Sequence, residues 1–205
     1  GKGRMQPFIA SLGMMYLADG FALIATNGQP VSNIPMDIID QFFWLGGGYV
    51  GWFPVPLILA IIVFVILQVF LKHTRTGRYI YAVGGNEECS RLSGINVSWI
   101  KILIFLISGL LCAVGSISLT ARIISGQPLL GGEFTMQSLG ATVLGGTSLT
   151  GGLGGVGNTV LGVLFIGFMT NGLNLLGVPT FVQRVVIGAV IIISVYMATI
   201  KEQKN

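Results

Sequence analysis

Residues Val55–Leu71 read VPLILAIIVFVILQVFL, a run in which Gln68 is the one polar side chain. A helix rises about 1.5 Å per residue and a bilayer's hydrocarbon core is about 30 Å thick. About 17–20 such residues therefore cross it, the lower end being slightly short. Two further runs, Ile102–Leu119 and Val185–Ile200, carry no formal charge. Across the 205 residues, 53% are apolar and 9% charged, against about 25% charged in a typical soluble domain. A water-soluble fold with so few charges could not cover its surface. A barrel would alternate apolar and polar residues in stretches of about ten, and that pattern is absent. The fold class that follows is all-α: a polytopic transmembrane helical bundle in a lipid bilayer.

Working outward, the spans expected are Phe8–Thr26, Val55–Leu71, Ile102–Leu119, Phe134–Leu144, Thr159–Leu175 and Phe181–Ile200. The fourth is too short to cross alone, so it is either a half-helix or a full span that continues into the glycines after it. The chain opens Gly-Lys-Gly-Arg without an initiating Met, no run reads as a signal peptide, and the start is expected to be the middle of a longer product.

Basic residues set the orientation. Lys2 and Arg4 precede the first span, Lys72, Arg75, Arg78, Arg91 and Lys101 lie between the second and third, and Lys201 and Lys204 follow the last. Such residues favour the cytoplasmic side. Both ends of the chain are thus expected to be cytoplasmic, with residues 72–101 as a cytoplasmic loop. Arg122 and Arg184 fall at expected outer helix ends. The net charge of +4 is explained by this placement and not by a nucleic-acid partner. Cys89 falls in a loop and Cys112 in a span, so the pair reads as inert thiols rather than a disulfide.

Within that loop, Gly77–Val97 reads GRYIYAVGGNEECSRLSGINV. Gly84-Gly85 interrupts the chain, and Asn86 is a preferred N-cap. Glu87 and Glu88 lie in the first turn, where the helix dipole favours acids. Arg91 lies in the last turn, and Gly94 stands where a C′ glycine belongs. A short helix over Glu87–Ser93 is predicted. Two turns are marginal in water unless docked, so a partner is expected to hold it. The plain alternative is that Glu87 and Glu88 are solvated loop charges.

This segment resembles the cytoplasmic coupling loop of the ribose/xylose/galactose-type ABC permease family. Gln6–Val31, with its Asn-Gly-Gln-Pro corner, is similar to one of that family's spans. Gly132–Gly162 is similar to its Gly-rich hairpin, and Asn171–Ile191 to its terminal helix pair. The resemblance covers essentially the whole chain. It implies a single permease domain over residues 1–205, the C-terminal two-thirds of a longer subunit. Asp19 is a departure, standing where relatives often have a basic residue, and the C-terminal tail is short.

The resemblance also implies a binding-protein-dependent importer of a monosaccharide, ribose-like, in a bacterial inner membrane. Its partners would be an ATPase subunit that binds the ATP, a second permease copy or homologue, and an extracytoplasmic sugar-binding protein. Asn86, Glu87, Glu88, Arg91 and Gly94 would meet the ATPase. The subunit would hold no cofactor and work by alternating access, with the Gly28–Pro54 stretch receiving the binding protein. The rival reading is a secondary transporter or channel that needs no ATP. Such carriers usually place several ionisable groups in their spans, and Asp19 is nearly alone here.

Other signals weigh less. Gly152-Leu-Gly154-Gly-Val-Gly157 matches G-x-G-x-x-G but lacks a βαβ context, and no acid follows until Glu202. No Walker motif is present, so another chain must hydrolyse ATP. The glycines read as close-packing residues, or as a hairpin bordering the translocation path. Asn171 and Asn174 share a helix face and read as interhelical glue or as sugar-binding amides. Asp19 either faces the pathway or pairs with a base outside this chain. His73 sits among basic loop residues, and Asn96-Val-Ser98 is a chance glycosylation triplet. No catalytic constellation is present in the sequence.

Overall fold

The computed structural model describes residues 7–32, 35–148 and 151–203. In chain order the elements are α1 (Pro7–Thr26), α2 (Met36–Gly47), β1 (Tyr49–Val50), β2 (Phe53–Pro54), α3 (Val55–His73), α4 (Arg75–Gly85), α5 (Glu87–Leu92), α6 (Val97–Ile123), α7 (Gly131–Leu144), α8 (Val156–Leu175) and α9 (Thr180–Gln203). The expected all-α class holds, the strands being one two-residue hairpin. Helices α1, α3, α6 and α8 are long and apolar enough to cross a membrane, and α9 is apolar over Thr180–Tyr196. Their large side chains stand mostly uncovered: Phe21, Phe105, Phe168 and Ile192 are all well exposed. In water each would forgo about 1.5–3 kcal/mol of burial; a hydrocarbon solvent removes that penalty.

The chain divides into two compact units, Gly1–Ile62 with Lys101–Gly132, and Val63–Ile100 with Glu133–Asn205. In the first, the end of α2 abuts the end of α6. A side chain at Gly46 would collide with the backbone of Ala121 and Arg122, and Ala121 is fully buried. The segment after α1 bridges to the segment after α6 through reciprocal bonds between Val31 and Gly126, 3.0 and 2.8 Å. The hairpin that precedes α3 is closed by the Val55 amide donating to Gly48 O at 2.9 Å.

In the second unit, α7 packs on both α8 and α9. Gly162 of α8 lies against the Ala141 carbonyl of α7, and Gly140 of α7 takes the Ile191 side chain of α9, with Ile166 of α8 beside it. Helix α7 stops at Leu144, before the glycines. At about 1.5 Å per residue it is about 21 Å long, short of a bilayer, so of the two readings of the fourth segment the half-helix is found. Gly146 (φ +79°) ends it, with Gly146 N donating to Val143 O and Thr147 N to Thr142 O. This paired pattern needs a left-handed residue, which glycine adopts without steric cost.

Candidate functional site

The loop between α3 and α6 is more structured than the sequence suggests. Thr74 joins α3 to α4: its Oγ1 donates to Phe70 O at 2.6 Å and accepts from Gly77 N at 3.0 Å. Gly77 is buried, and a side chain there would meet the carbonyls of Phe70 and Leu71. The first turn of α4 therefore lies close against the end of α3. The helix runs through Gly84 and Gly85, where the sequence reading placed the break; the chain turns one residue later, at Asn86 (φ −155°). Val83 of α4, with Val97 and Ile100 at the start of α6, forms a small core against which Ile80 and Ile95 pack.

Helix α5 is fixed at both ends. The Asn86 carboxamide oxygen accepts from Cys89 N at 2.9 Å, satisfying one of the helix's orphan donors. At the other end Gly94 (φ +81°) lets Gly94 N donate to Arg91 O at 3.1 Å and Ile95 N to Ser90 O at 3.0 Å. Ile95 then reaches the core, so the helix end is tied to the apolar cluster. Asn96 caps α6 by accepting from Trp99 N at 3.1 Å. Arg91 Nη2 donates to Glu87 Oε1 at 3.1 Å. Both ends of that pair are solvated, so it contributes only about 0.2–0.5 kcal/mol. Its effect is to orient the two side chains.

With Ser90 turned inward and buried, α5 presents Glu88, Cys89, Arg91 and Leu92 outward. Leu92 is 84% exposed. It was not among the sequence candidates, although an apolar side chain between Arg91 and Ser93 on a two-turn helix was a readable signal. The five residues put forward for coupling, Asn86, Glu87, Glu88, Arg91 and Gly94, come together on this one element. An acid, a base and an apolar knob share its outer surface.

The glycine loop packs on α4. A side chain at Gly84 would come within 2.7 Å of Gly152 N. One at Gly151 (φ +96°) would come within 2.8 Å of Gly84 O, and one at Gly152 (φ +76°) within 2.7 Å of Gly85 Cα. The end of α4 and the loop thus meet main chain to main chain. Tyr81 of α4 adds a hydrogen bond, its hydroxyl donating to Gly154 O at 3.1 Å. The loop is closed on itself by Ser148 N donating to Leu153 O at 3.0 Å. Thr147 packs its side chain against Gly154, and its buried Oγ1 has no hydrogen-bond partner among the described residues. Gly152–Gly157 leads straight into α8 as a packing element.

The remaining candidates lie apart from α5 in the chain. Asn171 and Asn174 are on α8. Asn174 Oδ1 accepts from Gln183 Nε2 of α9 at 2.8 Å, and the same nitrogen donates to Val178 O at 2.7 Å. Gln183 is 3% exposed. This amide pair clasps the α8–α9 turn, and Gln183 was not singled out from sequence because its partner lies on the preceding helix. Asp19 sits in α1 of the first unit, half-buried.

Residues 2–195 match the family described as branched-chain amino acid transport system / permease component. The ribose import permease protein of Escherichia coli strain K12 is 45% identical over 201 residues, covering 98% of this chain and 63% of that protein. The ribose import permease protein of Bacillus subtilis is 45% identical over 196 residues, 96% of this chain and 60% of that protein. The L-arabinose transport system permease protein of Escherichia coli is 36% identical over 204 residues, 98% of this chain and 60% of that protein. The chain therefore spans about three-fifths of the length of these relatives. No solved structure matches it.

Proposed function

This chain belongs to the branched-chain amino acid transport system permease family, and on that premise we propose that it is the membrane-spanning subunit of a binding-protein-dependent, ATP-driven importer of a monosaccharide. The sugar class, ribose-like, is taken from the names of its similar relatives. The partners are an ATPase subunit, which binds the ATP, a second permease copy or homologue, and an extracytoplasmic sugar-binding protein. The membrane is a bacterial inner membrane, with residues 72–101 and both ends of the chain on the cytoplasmic side.

One observation supports this reading above the rest: α5, six residues long, is capped at both ends and anchored to a core while Glu88, Arg91 and Leu92 point outward. A helix of that length has no stability of its own. Rigidly held, it transmits a push instead of unravelling. ATP binding in the ATPase moves α5, and the glycine loop and Tyr81 carry that displacement to α7 and α8, which end and begin beside the loop. The bundle then exchanges outward and inward access to the sugar. For this to work each nucleotide state must bind the permease differently.

The test is sugar-stimulated ATP hydrolysis in proteoliposomes holding the full-length permease, its ATPase and its binding protein. Glu88→Lys and Arg91→Glu should each lower the stimulated rate about tenfold, the equivalent of about 1.4 kcal/mol of coupling, with basal hydrolysis unchanged. Full stimulation in both variants would remove α5 from the coupling path. Sugar uptake that persists without the ATPase would remove the importer reading itself.

A further inference from the structure

The outer segment between α1 and α3, expected from the sequence to receive the binding protein, contains an element that the coupling scheme above does not use. From Gln41 to Leu71 the chain has no charged side chain, yet α3 begins only at Val55. The residues before it form the β1–β2 hairpin and the end of α2, and they carry Phe43, Trp44, Tyr49, Trp52 and Phe53, all exposed. Trp52, at the hairpin turn, is 96% exposed. Gly51 (φ +62°) precedes it in the two-residue turn, the first central position, where a II′ hairpin needs a positive φ. This turn sets Trp52 at the tip.

The height of this element in the membrane is fixed by its neighbours. The first unit brings three spanning helices to an end in one place. The Val31–Gly126 bridge ties the segment after α1 to the segment after α6. Gly46 at the end of α2 lies on the last residues of α6, at Ala121 and Arg122. Gly48 bonds the first residue of α3. A segment attached to the ends of three spans lies at the boundary between hydrocarbon and water. Trp and Tyr are enriched at that level, where an aromatic body and a polar edge are both accommodated. The Tyr49–Pro54 and Val50–Phe53 pairing keeps main-chain polar groups satisfied where water is scarce.

The geometry points to the β1–β2 hairpin as an interfacial anchor: Tyr49, Trp52 and Phe53 seat in the headgroup and upper acyl region of the bilayer and hold the start of α3 at its depth. The occupant is lipid. A protein ligand in the aqueous compartment would be met by a surface with charges to orient it, and this stretch has none. The inference depends on α3 and α6 spanning the membrane, and not on what is transported.

The experiment places the full-length permease in nanodiscs made with lipids carrying a nitroxide either near the headgroup or deep in the acyl chain. The emission of the protein with Trp44→Phe and Trp99→Phe, minus that of the same protein also carrying Trp52→Phe, isolates Trp52. Trp52 is expected to emit to the blue of an aqueous indole, to lose most of its emission to the shallow nitroxide and less to the deep one, and to resist aqueous iodide. Quenching by iodide with no response to either lipid would overturn the anchor. Protection from iodide appearing only when the binding protein is added would also overturn it, assigning the hairpin to a protein partner. Reduced quenching of a spin label on Trp52→Cys (with Cys89→Ser and Cys112→Ser) by a water-soluble nickel complex, relative to oxygen, gives an independent reading of the same position.

Discussion

The Tyr81 hydroxyl donates a 3.1 Å hydrogen bond to the carbonyl oxygen of Gly154, joining positions 73 residues apart. It joins α4 to the glycine loop beside close main-chain approaches, and it gives the contact its register. Tyr81→Phe keeps the ring and removes the donor. The variant should lose about 1 kcal/mol, read as faster hydrogen exchange across residues 151–157, and its sugar-stimulated ATP hydrolysis should fall while binding of the ATPase persists. Unaltered exchange in the loop would show that the bond carries nothing.

Gly84 and Gly151 test the main-chain contact directly. Gly84→Ala sets a methyl within 2.7 Å of Gly152 N, and Gly151→Ala meets Gly84 O besides being strained at φ +96°. Overpacking of this kind costs about 1–3 kcal/mol. Both should lower the detergent-unfolding midpoint. Gly167→Ala, with nothing within 4 Å of the added methyl, should leave it level or raise it slightly, a helical Ala being favoured by up to about 1 kcal/mol.

The two ends of α5 should behave differently under substitution. Asn86→Ala removes the cap to Cys89 N and should cost about 1 kcal/mol, most of it restored by Asn86→Asp. Gly94→Ala puts a side chain at φ +81° and should cost about 1–2 kcal/mol, with Gly94→Asn milder. Protease cleavage within residues 86–96 is the readout. Equal cleavage rates across all four proteins would show that the caps do not hold the helix.

The clasp between Asn174 and Gln183 should give a measurable coupling. In a double-mutant cycle of Asn174→Ala and Gln183→Ala, an interaction of about 0.6 kcal/mol is expected, the usual size for such bonds within membrane helices. Gln183→Ala should be the worse single change, because Gln183 Nε2 also serves Val178 O.

Long apolar helices were readable because their signals are local. The starts and ends of α1, α3 and α8 fall at or within a few residues of the expected spans, where apolar runs meet Pro, Gly or charge. Helix α5 was readable for the same reason: Asn86, the two acids and Gly94 each act on their own turn. Helix α4 was not, since Gly77, Gly84 and Gly85 lower its propensity by about 1 kcal/mol each. It stands because Thr74 bonds both flanking helices and Val83 reaches a core. Helix α2 begins at Pro35-Met36 without a side-chain cap and ends in glycines, so its sequence reads as loop, and its packing on Ala121 and Arg122 is non-local. Of the candidate site, the α5 residues could be named in advance. Leu92 was readable there too, though it was not put forward; Tyr81 and Gln183 could not be named, because what distinguishes each is a partner on another element.

The meeting of Gly84 and Gly85 with Gly151 and Gly152 has a genetic corollary. Every amino acid one base change away from a glycine codon carries a β-carbon. At a contact lined by side chains, a missense change can trade one shape for another and a neighbour can turn to accommodate it. At Gly84, Gly151 and Gly152 the opposing surface is main chain, with no torsion to spare, so each such change adds an atom where space is already filled. Drift at these three codons should therefore be confined to silent changes, however freely the lipid-facing positions of α3 or α6 exchange one apolar residue for another.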